Sequence, residues 1–184
     1  MLAAANAVCA LALITMSIGH AQQNQPYTSL KDLRERGVVM QKWETSCAAA
    51  TLATVLTYHF RDAVTERYVV IKMLEKTDAA EVKSQGGFSL LDMKHFVESR
   101  GYQGLAYKDL SFNDLKAFNA PIVPINNHGY NHYVVFNGVH GEDVLLADPA
   151  FGNRRMRLSQ FNKVWMEGMA FVVTSKGKDE KKSD

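Results

Sequence analysis

The hydrophobic and polar positions in the first half of the chain predict helices. Residues 47–56 are rich in alanine and apolar on nearly every side, which is typical of a helix that is buried all round. Two further helices are predicted over residues 64–76 and 90–100, and Gly101 fits the position that follows a helix C-terminus. A Ser-x-x-Asp pattern resembling a capping box predicts a short helix over residues 111–118.

In the second half of the chain the pattern changes to short apolar runs bounded by turn residues, which are typical of β-strands. We therefore predict strands at residues 121–125, 132–139, 143–147 and 169–174, with residues 154–158 as a fifth candidate. Helices followed by strands along one chain predict an α+β fold, in which helices pack on an antiparallel sheet.

The first 21 residues have the pattern of a secretory signal peptide. No charged side chain occurs before Lys31, residues 7–18 are an apolar run, and Gly19-His20-Ala21 supplies small residues at a possible cleavage site. We expect residues 1–21 to be removed on export. The alternative is a short uncleaved membrane anchor, because residues 2–18 have about the minimum length of a span. N-terminal sequencing of the exported protein distinguishes the two.

Length and composition indicate one globular domain after this segment. The chain has 184 residues, 47% of them hydrophobic and 22% charged, which is enough to bury a core. The last nine residues are charged and polar, so we expect a folded domain over residues 27–175 and a disordered tail over residues 176–184. The formal net charge of +2 gives no electrostatic basis for binding nucleic acid.

The positions of the two cysteines indicate a candidate reactive residue. Cys9 falls within the predicted signal peptide, so Cys47 would be the single thiol of the mature protein. Thr45 and Ser46 are residue types that begin helices, which places Cys47 at a helix N-terminus. The helix dipole and free N–H groups there favour a thiolate, the reactive form of a nucleophilic cysteine. The alternative is an inert cysteine in the core.

His132 and Asp148 are the candidates for a base and for the carboxylate that orients it. His132 comes directly after a polar turn at the start of a predicted strand, and Asp148 ends the next strand. If the connecting turn is centred on His140, His132 lies directly opposite Asp148 on the same face of the sheet. The alternative is a register shifted by one residue, with Asp148 and Pro149 only beginning a turn.

Four of these elements, in their order and spacing, resemble a known family. Gln41 precedes Cys47 by six residues, His132 begins the sequence His-Tyr-Val-Val, and Asp148 follows it by sixteen residues. This pattern resembles the bacteriocin-processing, double-glycine type of cysteine peptidase over residues 40–173. The resemblance implies a papain-like fold, in which an N-terminal nucleophile helix packs on a C-terminal antiparallel sheet.

The resemblance also implies a role for each of these side chains. Cys47 would be the nucleophile, His132 the general base and acid, and Asp148 the residue that orients the imidazole. Gln41 would donate its side-chain amide to the oxyanion, beside the backbone N–H of Cys47. On either side of the cysteine, Ser and Ala stand where family members often carry an acidic residue and a glycine.

These features predict a cysteine endopeptidase that acts on an exported bacterial protein or leader in the periplasm. Most family members are domains of transporters, whereas this sequence has no transporter span or nucleotide-binding motif. It resembles the stand-alone branch, some members of which accompany functional-amyloid secretion systems, so we expect a peptide or protein partner, an amyloid-forming one included. The alternatives are acyl or amide transfer by the same residues and a peptide-binding module that does not cleave.

The remaining expectations concern binding. Trp43, just before the nucleophile, is either a core residue or part of the substrate groove. The histidines lack a close paired spacing with cysteine or acidic ligands, so we expect no metal. Catalysis by a thiol, an imidazole and a carboxylate requires no cofactor, and none is expected.

Overall fold

A computed structural model describes residues 28–127 and 129–175, and within them seven helices and six strands form one α+β domain. The helices are α1 (Leu30–Glu35), α2 (Cys47–His59), α3 (Glu66–Leu74), α4 (Ala79–Gln85), α5 (Leu90–Ser99), α6 (Phe112–Ala117) and α7 (Leu158–Val164). The strands are β1 (Tyr102–Tyr107), β2 (Ile122–Asn127), β3 (Tyr130–His140), β4 (Asp143–Asp148), β5 (Gly152–Arg157) and β6 (Ala170–Ser175).

The six strands form one antiparallel sheet in the order β1-β6-β2-β3-β4-β5. The strands from β2 to β5 follow one another as neighbours, whereas β6 returns across the sheet to lie between β1 and β2. The sheet separates two apolar clusters. One contains side chains of α2, α3 and α5, and the other contains side chains of α6 and α7. The predicted α+β class is therefore confirmed.

Helix α2 is buried on all sides because its sequence leaves no polar face. Every residue from Cys47 to Leu56 is buried, and the helix packs against strand β3 and helix α3. The two threonines in this stretch, Thr51 and Thr54, satisfy their hydroxyls by donating to backbone carbonyls one turn earlier. Because Cys47 is the first residue of α2, this packing fixes where the thiol lies relative to the sheet.

The predicted helices and strands are all present with boundaries shifted by a few residues, but the sequence patterns miss α1, α4, α7 and β1. Strand β1 shows no apolar alternation, since Gly104 is its one buried residue. A side chain there would collide, because an added Cβ would come within 2.7 Å of the Phe171 ring and 2.8 Å of Val97. Gly101 follows the C-cap of α5 with a φ of 84°, as predicted.

The β3–β4 turn differs from the prediction. His140 pairs with Asp143, so the turn contains two residues and its centre lies beyond His140 rather than on it. The first of the two is Gly141, whose φ of 61° suits a two-residue hairpin loop. A β-bulge between Phe136 and Gly138 then shifts the register by one residue.

The bulge keeps His132 and Asp148 on one face, although they are not directly opposite each other as predicted. Beyond the bulge Val135 pairs with Ala147, so the next position, Asp148, lies beside Val134. His132 is two residues from Val134 and therefore a diagonal neighbour of Asp148 on the same face.

Several predictions lie outside the described residues. They are the signal peptide over residues 1–21, the beginning of the domain at residue 27 and the tail over residues 176–184. Within the part of the chain that the structure describes, no helix has the length and apolar character needed to cross a membrane.

Candidate active site

Cys47 is a free thiol at the N-terminus of α2, with 3% of its surface exposed. Ser46 occupies the N-cap position as predicted, but its side chain caps no N–H group of the described helix. The single proton of the Ser46 hydroxyl is instead donated to the carboxylate of Glu66, and the same oxygen also lies 2.8 Å from the carbonyl oxygen of Trp43. The N–H groups of the first turn therefore stay uncapped by this side chain, and their positive field stays directed towards the thiol.

His132 and Asp148 form a buried hydrogen-bonded pair. Nε2 of His132 lies 2.8 Å from Oδ1 of Asp148, and the two side chains are 5% and 0% exposed. The same carboxylate oxygen accepts the backbone N–H of Ala150 at 2.9 Å, while Oδ2 lies 2.9 Å from Nε of Arg154. The carboxylate is therefore held in place from both sides, and through it the imidazole.

The surroundings of the ring favour its protonated form. Burial alone lowers the pKa of His132, but the hydrogen bond to Asp148 and the neighbouring Cys47 outweigh this effect and raise the pKa to about 9. Burial likewise raises the pKa of Asp148, yet His132, the N–H of Ala150 and the charge of Arg154 together bring it below its usual value. At neutral pH the pair is an imidazolium and a carboxylate.

The thiol of Cys47 is a neighbour of the same ring. Nε2 of His132 is hydrogen-bonded to Asp148, whereas Nδ1 makes no hydrogen bond to any residue that the structure describes. Nδ1 is therefore the ring atom that can exchange a proton with Cys47. Cys47 and His132 both line a cavity of about 230 Å³, hereafter the Cys47 cavity, walled by the backbone of Gly86 and Gly87. A cysteine at a helix N-terminus beside a histidine is the arrangement that nucleophilic catalysis by a thiol uses.

Gln41 lies in the segment that leads into α2. Its backbone N–H donates to the carbonyl of Pro149 at 2.8 Å, which ties the segment before α2 to the turn after Asp148. Its side-chain Nε2 donates to the carbonyl of Trp43 at 3.0 Å. One N–H of the amide remains available. Gln41 and His132 both line a second cavity of about 470 Å³, hereafter the Phe151 cavity.

Trp43 is not a core residue, because 47% of its surface is exposed. It lines an apolar groove of about 610 Å³ with side chains of α3 and α4 and with Phe88. The groove adjoins the segment that leads into Cys47. The expectation that Trp43 is a core residue is therefore wrong, and its place in the substrate groove stays a prediction.

Sequence reasoning missed Glu66, the first residue of α3. Its side chain is 3% exposed and accepts the N–H of Lys42 at 2.8 Å as well as the hydroxyl of Ser46. It therefore holds both ends of the segment between Gln41 and Cys47. A glutamate after the helix cap Thr65 is an ordinary first-turn residue, so no sequence signal distinguishes it.

Sequence reasoning also missed Tyr130 and Arg154. Tyr130 stacks on His132 with ring centroids 6.1 Å apart, and its hydroxyl donates to the carbonyl of Glu44 at 2.8 Å. Arg154 lies 2.9 Å from Asp148 and has its guanidinium over the ring of Phe151 at 5.6 Å. Arg154 reaches the site only through the pairing of β4 and β5. Tyr130 lies two residues before His132 on the same strand, so the alternation of side chains along a strand could have indicated it. Among the described residues, no group of three or more His, Cys, Asp or Glu is placed to hold a metal ion.

A cysteine at the start of a buried helix, beside a histidine–carboxylate pair on an antiparallel sheet, is the arrangement of papain-like cysteine peptidases. The fold and the site place the chain in this class of enzymes. Comparison with known families agrees: residues 35–178 match the peptidase C39 family. The chain belongs to this family and is a cysteine peptidase that acts on peptides, which confirms the resemblance found in the sequence.

Two relatives are named probable functional amyloid protease FapD. The protein from Pseudomonas aeruginosa is 38% identical over 157 residues, which cover 83% of this chain and 68% of the relative. The protein from Pseudomonas fluorescens is 35% identical over 153 residues, covering 83% of this chain and 66% of the relative. The matched segments thus span about two thirds of these relatives.

Solved structures show the same fold. The peptidase domain of Streptococcus ComA, a bifunctional ABC transporter of a quorum-sensing pathway, superposes with a TM-score of 0.62 at 21% identity, covering 76% of this chain and 98% of that one. A double-glycine motif protease from an AMS/PCAT transporter, solved with its leader peptide, superposes with a TM-score of 0.62 at 24% identity, covering 76% and 91%.

Proposed function

We propose that the chain is a cysteine endopeptidase that cleaves an exported bacterial protein or its leader through Cys47, His132 and Asp148. The observation that carries this proposal is the buried 2.8 Å bond between His132 and Asp148, which leaves Nδ1 of the same ring free beside the thiol. The order nucleophile, imidazole and carboxylate is the one that peptide cleavage by a thiol requires.

The reaction would proceed in two steps. In the first, the thiolate of Cys47 attacks the peptide carbonyl carbon and the carbonyl electron pair moves to oxygen; the pair then returns to re-form the carbonyl as a thioester, and the C–N bond breaks as Nδ1 of His132 protonates the leaving amine. In the second, His132 takes a proton from water, the resulting hydroxide adds to the thioester, and the C–S bond breaks as the carbonyl re-forms. The products are the regenerated thiolate beside protonated His132 and a carboxylic acid, which releases its proton to the released amine or to solvent and becomes a carboxylate. Asp148 stabilises the imidazolium whenever the ring is charged.

Gln41 would stabilise the oxyanion, together with the N–H of Cys47. We expect Gln41→Ala to lower kcat/KM by a factor of about 100–1000, because an oxyanion donor contributes about 3–4 kcal/mol in the transition state. The measurement is peptide cleavage at substrate concentrations below KM. Gln103→Ala is the matched control, since Gln103 is an exposed residue of β1 far along the sheet. Equal activity of Gln41→Ala and wild type would refute the role.

The proposed setting is the periplasm, with cleavage of the signal peptide or retention of an N-terminal anchor as the two routes there. The names of the Pseudomonas relatives favour an amyloid-forming protein of a secretion system as the substrate. The Cys47 cavity, about 230 Å³ in volume and walled by Gly86 and Gly87, suits small residues such as glycine on the acyl side of the scissile bond.

The test of the function is mass spectrometry of products. The purified chain is incubated with the exported proteins that are encoded by neighbouring genes. We expect two shorter fragments, one of which ends in a new carboxylate and the other of which begins with a new amine. A product with a new amide bond would instead identify acyl transfer by the same residues. Intact proteins throughout would point to a binding module and overturn the proposal.

A further inference from the structure

His132 lines both cavities of the site. Cys47 lines the Cys47 cavity, whereas the Phe151 cavity is lined by His132 and Gln41 and not by Cys47. In the proposed reaction the acyl half of a substrate stays bonded to Cys47, and the leaving half receives its proton from His132. The acyl half is therefore assigned to the Cys47 cavity, and the leaving half to the cavity that shares His132 with it.

We infer that the Phe151 cavity binds the first residue of the leaving half and selects a large aromatic or aliphatic side chain there. This inference rests on the proposed function and extends it to the residue that follows the scissile bond. The volume of about 470 Å³ is ample for such a side chain.

The walls of the cavity are exposed aromatic faces that are fixed in place. Phe151 is 57% exposed and Tyr130 is 49% exposed, although both belong to the wall of a concave site. The backbone N–H of Phe151 donates to the carbonyl of Asp148 at 3.2 Å, and the hydroxyl of Tyr130 donates to Glu44 at 2.8 Å. Exposed aromatic surface on a rigid frame gains free energy when an apolar group covers it.

The charges at the rim do not select a charged side chain. Arg154 and Glu44 carry opposite signs and both line the cavity. Arg154 is already engaged, since its Nε lies 2.9 Å from Asp148 and its guanidinium lies over Phe151. An acidic substrate residue would compete with Asp148 for this guanidinium and be repelled by Glu44, whereas a basic one would be attracted to Glu44 and repelled by Arg154, so the two charges oppose each other for either sign. The apolar surfaces of Phe151 and Tyr130 therefore determine which substrate side chain is preferred.

The experiment compares peptides that carry Gly-Gly on the acyl side and Phe, Leu, Ala, Glu or Lys directly after the scissile bond. For the wild type we expect kcat/KM to be about tenfold higher with Phe or Leu than with Ala, Glu or Lys. In Phe151→Ala we expect kcat/KM for the Phe peptide to fall to that for the Ala peptide. Phe151→Leu is expected to retain part of the preference for the Phe peptide over the Ala peptide. Tyr58→Ala, which removes an exposed aromatic ring of α2, is the matched control and should change nothing.

A methyl ester of the same acyl peptide separates this inference from the proposed function, because its leaving group has no side chain. Unchanged ester hydrolysis in Phe151→Ala, combined with loss of the Phe preference, supports the inference. Equal rates for the Phe and Ala peptides in wild type, a higher rate with Glu or Lys, or an equal loss of ester hydrolysis in Phe151→Ala each overturns it. If the wild type cleaves neither ester nor peptide, the proposed function fails, and the inference fails with it.

Discussion

Cys47→Ala is expected to abolish peptide cleavage, with kcat falling by a factor on the order of 10⁴–10⁶. The substitution removes the atom that forms the covalent intermediate, and no neighbouring group can replace it because His132 and Asp148 act only through proton transfer and charge. The measurement is single-turnover cleavage of the substrate identified by mass spectrometry, with denaturant unfolding recorded in parallel.

The fold should survive this change. Cys47 is buried next to a cavity at the end of α2, and alanine is the best helix former, so the loss of unfolding free energy should be about 1 kcal/mol. Tyr58→Ala is the control because it alters an exposed position at the other end of the same helix and leaves the thiol in place. Cleavage by Cys47→Ala at the wild-type rate would show that the nucleophile lies elsewhere.

Asp148→Asn is expected to lower kcat by a factor on the order of 10³–10⁴ and to move the alkaline limit of activity to lower pH. The carboxylate is one of the groups that raise the pKa of His132 from 6.5 to about 9. In the wild type the ring should stay protonated, and able to protonate the leaving amine, until the pH rises through about 9. Without the negative charge, burial of the ring lowers its pKa, and activity should fall at least one pH unit earlier. The measurement is kcat/KM between pH 5 and 10.

Asp143→Asn provides the control for this experiment. Asp143 begins the same strand that Asp148 ends and pairs with Arg157 at 3.4 Å, away from the thiol. Its loss should leave both the rate and the pH profile unchanged. A profile that moves equally in the two variants, or an alkaline limit in Asp148→Asn that stays near pH 9, would show that Asp148 does not set the protonation of the ring.

The fold class followed from the sequence because its strongest patterns correspond to its most buried elements. Residues 47–56 are apolar on nearly every side and are the part of α2 that is buried. Strand β1 escaped prediction because its place in the sheet depends on the closeness of Gly104 to Phe171 and Val97, which lie far away in the sequence. Helix α1 escaped because none of its own residues is buried, so it carries no apolar stripe.

Within the site, only the residues that belong to the family motif could be predicted from the sequence. The sequence places a reactive residue type at the boundary of a predicted helix or strand in three cases, Cys47, His132 and Asp148. The structure brings these three side chains together. The register used to pair the last two was wrong, since neither the two-residue turn nor the bulge can be inferred from apolar alternation. Glu66 contacts the site from another helix, and only tertiary packing distinguishes it from a surface glutamate.

Because of the bulge between Phe136 and Gly138, the number of residues in the β3–β4 hairpin determines whether His132 and Asp148 lie on the same face of the sheet. Side chains alternate between the faces of a sheet, so a single-residue insertion or deletion between His132 and Asp148 that kept the strands paired would turn the carboxylate away from the imidazole. A change of two residues would preserve their common face. Among homologues that keep this sheet, the interval between the histidine and the aspartate should therefore vary in even steps, or in odd steps only where a bulge is gained or lost.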